Sequence, residues 1–525
     1  MNKAAFSVVA AGAVVLGLAF RLAWLDLRPM HHDEANQAVR FGQLLETGEY
    51  RYDRNDHHGP TLYYLTLPVA WARGQTTLAS LDERTLRAVP ALFGAGFILL
   101  VALMGRGLGR GAVAVAMLLA ALSPALTYYA RFYIQESALL FFLVAFLVAL
   151  GRYVSAGGVA AMVAAGVSAG LALATKETAA PILLAVIAAC AVARASVARP
   201  GGEGEPAADR PWPAIRFAHL AGGAVVAAAI ALTLYSSFFA NVSGIGDAVR
   251  AVGVYAQRGF EPGTHGEPWD YYIRLLAYSE SGGLVWSEGI VLAMAGVGAV
   301  FAWTKRAGGF WPRYVCLYSA ITLVAFSAVP YKTPWNLLPF YGGIVVLAGF
   351  GAAGLAGVTR SRAAQVLLAL GLLAACTHLG VQDWRANVRY PADPRNPYVY
   401  AQTSPDFLRL VTRVGDVSRV HADRERMLVA VVAGPYEQWP LPWYLRRMER
   451  VGYWTSVAAV GPLDRMPFIV ASAEFADAVA ASLGDGYVSE YYGLRPGVLL
   501  TVFIERNLWG RFMGSGRITD HGSRR

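Results

Sequence analysis

The chain has 525 residues, 56% of them hydrophobic and only 15% charged, with a mean hydropathy of +0.42. Soluble domains carry about 25% charged residues, so a soluble enzyme is excluded and a polytopic α-helical membrane protein is implied. The formal charge of +10 does not mark a nucleic-acid binder, because Lys and Arg fall in short gaps between apolar runs, the pattern that orients membrane helices. Cys190, Cys316 and Cys376 all lie inside apolar runs, which predicts buried thiols and no disulfide framework.

Residues 4–25 form the first apolar run. It is too long for a signal-peptide core and no small-x-small site follows, so it reads as an uncleaved anchor. Directly after it comes Met30-His31-His32-Asp33-Glu34-Ala35-Asn36-Gln37. Two carboxylates and two imidazoles thus stand close to a membrane surface, where acids are costly and mark function. The stretch also reads as a helix start, with Asp33 as N-cap or first-turn acid and Ala35, Ala38, Phe41 and Leu45 on one face. The readings are compatible, since a helix N-terminus holds a carboxylate still. Next come Tyr52-Asp53-Arg54-Asn55-Asp56-His57-His58-Gly59-Pro60 and a tyrosine-rich run at 62–67, too short to span and expected as an interfacial helix.

Further apolar runs lie at 86–105, 112–128, 136–151, 158–174, 179–193, 217–239, 284–303, 314–330, 335–358 and 363–382. With the first, they predict about eleven spans of ~20 residues. With the N-terminus inside, the inner gaps hold Arg106, Arg110, Arg152, Arg194, Arg199, Arg210, Arg216, Lys305, Arg306, Arg313, Arg360 and Arg362, as the positive-inside rule requires. The outer gaps keep chiefly Arg131, Lys176 and Lys332. Residues 199–206 read as a flexible inner linker. After residue 382 the chain is more charged and has no spanning run. Strand-like segments at 427–432, 468–470 and 498–504, with a helical 474–483, predict a small α/β domain over 383–525. An odd number of spans puts that domain outside, and its tail from Gly514 reads as disordered.

The unusual polar residues gather on one side of this topology. They are Asp33 and Glu34; His57 and His58; Arg131 and Glu136; Lys176 and Glu177; His265; and Lys332 beside Trp335. Each has a plain structural alternative. Arg131 and Glu136 can simply pair, Lys176 and Glu177 can be solvated, and His57-His58 can be turn residues before Gly59-Pro60. Their convergence predicts one outward chamber in which cations hold phosphate and a carboxylate acts as base. In the outer domain, Trp439 and Trp443 suit either sugar stacking or an aromatic membrane belt.

An acidic pair after the first span, His58-Gly59-Pro60 with Leu62-Tyr63-Tyr64-Leu65 some 25 residues on, and Tyr129-Ala130-Arg131 before Glu136 resemble the dolichyl-phosphate-mannose protein mannosyltransferases. The wider class is the GT-C glycosyltransferases. His-His-Asp-Glu, Tyr331-Lys332-Thr333-Pro334-Trp335 and the 439–446 segment resemble a narrower branch, the flippase-activity-associated family. The resemblance implies a GT-C transmembrane domain over 1–382 in the plasma (inner) membrane, carrying an extracytoplasmic 383–525 domain. It implies an enzyme that moves a sugar from a polyprenyl-phosphate donor to a glycan, lipid or protein acceptor by single inverting displacement. The alternative is a non-catalytic accessory or transporter of lipid-linked oligosaccharide. Asp33 would be the base, Glu34 its structural or metal-linked neighbour, and Glu136 a second site acid. His57, His58, Arg131, Lys176 and Lys332 would meet the donor phosphate. His265, Trp335, Trp439 and Trp443 would meet acceptor or sugar. Metal dependence stays open, with Mg or Mn placed at His32 and Asp33. Gly59-Pro60 departs from the Pro-Pro of the mannosyltransferases, which leaves the placing of His58 open.

Overall fold

The structure, a computed structural model, describes residues 1–55, 58–197, 212–261, 263, 265–304 and 308–515. His57, the expected linker 199–206 and the tail beyond Ser515 lie outside them.

All eleven expected runs are helical: 3–22, 83–102, a broken pair at 110–122 and 124–130, 136–156, 159–173, 179–197, 217–235, 289–302, 310–328, 338–358 and 362–384. Among the described residues seven helices are long and apolar enough to cross a membrane, or eight if the broken pair is one span. The count of eleven is therefore too high by this criterion, for a physical reason. Val159–Leu173 and Gly289–Ala302 have 15 and 14 residues, about 20 Å of helix against ~30 Å of hydrocarbon. Phe310–Ala328 is diluted by Trp311, Pro312 and Arg313.

The broken pair bends by 57°. Ser123 ends the first half and caps the second, its Oγ accepting from the Leu126 N–H at 3.2 Å, and Pro124 opens the new helix. Close helix approach rests on missing side chains. A Cβ on Gly298 would sit 2.1 Å from the Leu347 carbonyl oxygen, and one on Gly351 2.1 Å from that of Met294. All three cysteines are free; Cys190 is buried, whereas Cys316 and Cys376 are only partly so.

A short hairpin, β1 (Ser279–Ser281) with β2 (Leu284–Trp286), precedes the helix Gly289–Ala302. The C-terminal unit is a five-stranded sheet of β3 (Val429–Val432), β4 (Val451–Trp454), β5 (Phe468–Ser472), β6 (Tyr487–Arg495) and β7 (Val498–Glu505), in the order β4-β3-β5-β7-β6. β3 runs parallel to β4 and β5, while β7 is antiparallel to β5 and β6. β3 and β5 are buried along their whole length. Phe407, Leu410 and Leu508 cover one sheet face, and Val479 and Leu483 the other.

Between the two units, Ala386, Tyr398 and Tyr400 pack into the core of the helical bundle. The sheet unit is then fixed over residues 28–34. Thr403 Oγ1 donates to the Met30 carbonyl at 2.7 Å, Gln402 to Pro29 at 2.8 Å, and the Met30 N–H donates to Tyr444 Oη at 2.9 Å.

Candidate functional site

The helix His32–Thr47 is built to separate two adjacent carboxylates. His31 is its N-cap: Nδ1 accepts the Asp33 N–H at 3.1 Å, and the Glu34 side chain returns to the His31 N–H at 3.0 Å. Because Nδ1 accepts, Nε2 carries the proton and donates to the Tyr400 carbonyl at 3.0 Å. Burial depresses the His31 pKa, with the Asp33 charge acting against it. Gly48, at φ 73°, closes the helix in the left-handed region.

Successive residues on a helix point about 100° apart, so Asp33 and Glu34 diverge. Glu34 is fully buried. It is forked by Arg87, Nε and one terminal nitrogen both at 2.7 Å, and it accepts the Tyr133 N–H at 2.9 Å. Arg28 stands 3.8 Å away. Burial pushes this carboxyl up, but Arg87 and then Arg28 more than reverse it and hold its pKa at about 2.

Asp33 keeps 43% of its side-chain surface accessible. Among the described residues no group hydrogen-bonds its carboxylate, and the nearest partner, His31 Nδ1, is 3.8 Å away. Burial acts to raise its pKa; His31, His32, His58 and Lys176 act against that and leave it below the usual carboxylate range. Asp33 is thus a carboxylate under the influence of several basic groups and still open to solvent.

His58 is one of the groups that act on Asp33. Its Nδ1 lies 2.8 Å from Glu177 Oε2, and Tyr52 donates to Glu177 Oε1 at 2.7 Å. Gly59 makes this possible: a Cβ there would lie 2.2 Å from the Ala174 carbonyl oxygen. The Thr61 N–H also bonds that oxygen at 3.1 Å. The departure from Pro-Pro is thus what lets the His58 loop lie flat on the turn that carries Lys176 and Glu177. Sequence reading singled out Glu177 but gave it no role.

Lys176 acts on Asp33 and is paired with Glu136, Nζ to Oε1 at 2.5 Å, with both side chains almost wholly buried. Glu136 Oε2 has no hydrogen-bond partner among the described residues. Tyr331 and Tyr400 also feel the Asp33 charge. His265 Nδ1 bonds Tyr400 Oη, and its ring lies 4.8 Å from that of Tyr331. Tyr400 had no signal in the sequence, because it reaches the site from a loop far along the chain. At the rim, His32 stacks on the exposed Tyr436 at 5.9 Å and lies 6.1 Å from Trp439.

Several expected site residues are otherwise engaged. Arg131 donates to the Phe20, Ala23 and Trp24 carbonyls and caps the first helix. Lys332 Nζ is spent on the Glu267 and Val329 carbonyls at 3.0 and 2.5 Å. Trp443 is fully buried, donating to Glu83 at 2.8 Å under the Arg446 guanidinium, so it offers no face to a sugar. Trp335 is 8% exposed and packs edge-on against His31 and Tyr400. Glu34 is an anchor and not a reacting acid. Of the neighbours that could join His32 and Asp33 in holding a metal, Glu34 is taken by arginine and His31 by backbone. Among the described residues no three His, Cys, Asp or Glu are grouped to hold a metal ion.

Residues 63–241 match the dolichyl-phosphate-mannose-protein mannosyltransferase family. The matched region holds Glu136, Lys176 and Glu177 and begins after Asp33 and His58. No curated protein sequence matches the chain. The fold is that of the GT-C glycosyltransferases. ArnT from Cupriavidus metallidurans bound to undecaprenyl phosphate superposes with a TM-score of 0.61 at 16% identity, covering 97% of this chain and 99% of that one. The apo oligosaccharyltransferase from Archaeoglobus fulgidus gives 0.59 at 12% identity, over 98% of this chain and 78% of its own. The archaeal AglB in complex with an inhibitory peptide and a dolichol-phosphate gives 0.56 at 13% identity, over 96% and 77%.

Proposed function

We propose that the protein is a membrane glycosyltransferase that moves a sugar from a polyprenyl-phosphate donor to an acceptor hydroxyl at the extracytoplasmic face of the plasma (inner) membrane. The observation that carries this is the Asp33 carboxylate. It is ionised, free of hydrogen-bond partners among the described residues and accessible, within reach of the His58 and Lys176 charges. The mannosyltransferase-family region and the GT-C fold supply the reaction class, and bound undecaprenyl and dolichol phosphates in the structural neighbours support the lipid carrier.

In this reaction the acceptor hydroxyl hydrogen-bonds Asp33. Its oxygen attacks the anomeric carbon from the face opposite the phosphate. The new C–O bond forms as the bond from the anomeric carbon to the phosphate oxygen breaks. Asp33 takes the proton, and the bond's electron pair leaves on the lipid phosphate, beside His58. One displacement inverts the centre and needs no sugar–enzyme intermediate. Glu34 contributes by fixing the helix that presents Asp33, which is where orientation enters the rate.

The test is release of lipid phosphate from a labelled polyprenyl-phosphate sugar by purified protein, with and without Asp33→Asn. Release that Asp33→Asn abolishes supports the enzyme. Binding without release by the unmodified protein overturns it in favour of the accessory role.

A further inference from the structure

The Glu177 carboxylate is buried to 3% of its surface and spends both oxygens on two side chains, His58 Nδ1 at 2.8 Å and Tyr52 Oη at 2.7 Å. His58 is itself 24% exposed. Its backbone carbonyl accepts from Tyr50 Oη at 3.1 Å, and its ring lies 5.2 Å from that of Tyr255 at an interplanar angle of 36°. Backbone, ring face and Nδ1 are therefore all held. Among the described residues Nε2 makes no hydrogen bond.

A surface turn residue would not be built this way. A solvated histidine needs no buried carboxylate, and burying one is costly unless it is paired. Nor does Glu177 serve Lys176, whose ammonium is committed to Glu136. With Arg131 and Lys332 spent on backbone carbonyls and Lys176 on Glu136, His58 keeps one ring nitrogen, Nε2, open among the described residues.

We propose that Glu177 is a positioning residue for transfer: it holds the His58 ring so that Nε2–H is presented to the phosphate group of a polyprenyl-phosphate sugar. This rests on the function proposed above and adds a residue to it. His58 keeps its Nδ1 proton and donates it to the Glu177 carboxylate, which fixes the ring and favours its imidazolium form. In that form Nε2 donates to a phosphate oxygen, and the hydrogen bond strengthens as the anomeric bond breaks and negative charge gathers there. No proton need leave the imidazole. The charged and titratable groups that contact or act with His58 are Glu177, Asp33, Tyr50, Tyr52 and Tyr255. Glu177 is the one in direct contact with a ring nitrogen.

The test uses full-length protein in nanodiscs with undecaprenyl phosphate as the probe, its binding measured for wild type, Glu177→Gln, Glu177→Asp, His58→Gln and the Glu177→Gln/His58→Gln double variant. Glu177→Gln and His58→Gln should each weaken binding about tenfold, as expected for one lost charge-assisted hydrogen bond. Glu177→Asp should recover part of the loss, and the double variant should bind no more weakly than His58→Gln alone. Losses that add in the double variant, or unchanged binding in Glu177→Gln, would overturn the proposal and leave Glu177 a packing residue. If Glu177→Gln does not fold, Tyr52→Phe loosens the same carboxylate and must weaken binding in the presence of His58 but not in His58→Gln, or the proposal falls. Binding is read apart from chemistry. A wild-type protein that never transfers sugar but shows this coupling refutes the enzyme and not the pair; transfer without the coupling refutes the pair alone.

Discussion

Replacing Glu34 by glutamine keeps its shape and removes its charge, and the structure says what that costs. Glu34 accepts four hydrogen bonds, two from Arg87 and one each from the His31 and Tyr133 N–H groups. Arg87 and Arg28 are 1% and 6% exposed. Glutamine leaves two buried guanidinium groups without a counter-charge and turns an amide donor toward donors. Breaking a buried pair from one side costs about 3–5 kcal/mol. For 525 residues at about 2.1 cal/mol/K each, that is a fall in Tm of ~3–5 °C. Asp33→Asn touches no partner, so its stability should stay within about 0.5 kcal/mol of wild type, while transfer falls about 10²–10⁴-fold with the lost base. The assay pairs fluorescence-detected unfolding in detergent, at one scan rate because membrane proteins unfold irreversibly, with sugar transfer. Glu34→Gln should lose both stability and transfer; Asp33→Asn should lose only transfer. A Glu34→Gln protein as stable and active as wild type would refute the division of labour, as would an Asp33→Asn protein with full activity.

Acid should act through the same anchor. The Glu34 pKa is about 2 in the folded chain against an ordinary 4.5. Its contribution is complete above about pH 4.5 and is lost as pH falls toward 2, worth about 3 kcal/mol; unfolding measured across that window should show a limb that Glu34→Gln lacks. Gly59→Ala should lift the His58 loop off the Ala174 carbonyl and weaken undecaprenyl-phosphate binding, since the space for a methyl is filled by backbone; unchanged binding would show the loop to be pliant. Lys176→Met should destabilise by about 3–5 kcal/mol by stranding the Glu136 charge, and adding Glu136→Gln should recover most of it, measured by the same unfolding assay. A double variant that is stable but no longer binds lipid phosphate would return Lys176 to the donor site.

What the sequence revealed and what it hid divide along physical lines. The apolar runs announce themselves because a helix in lipid needs nothing but apolar residues and internal hydrogen bonds, so each expected run is helical. Whether a run crosses is decided by a few residues of length, which is why Val159–Leu173 and Gly289–Ala302 fall short. In the C-terminal sheet unit the buried strands β3 and β5 are plain, whereas β4 has four half-buried residues and β6 carries Ser489, Glu490 and Arg495.

For the site, sequence located the charges but not their partners. Arg131 and Lys332 read as phosphate ligands because a cation at a membrane face is costly. The cost is met instead by helix-end and loop carbonyls, groups that every residue has and no motif displays. The distinction between Asp33 and Glu34 was partly legible, since neighbours on a helix cannot share a face. Which of the two stayed open to solvent depended on Arg87, more than fifty positions away. A motif therefore marks where charge is concentrated, and the reacting group is the one member of it that the surrounding arginines and carbonyls leave unpaired. By that criterion Asp33 and the Nε2 of His58 are the two open valences left among the described residues, and on the function proposed above they would serve the acceptor and the phosphate respectively.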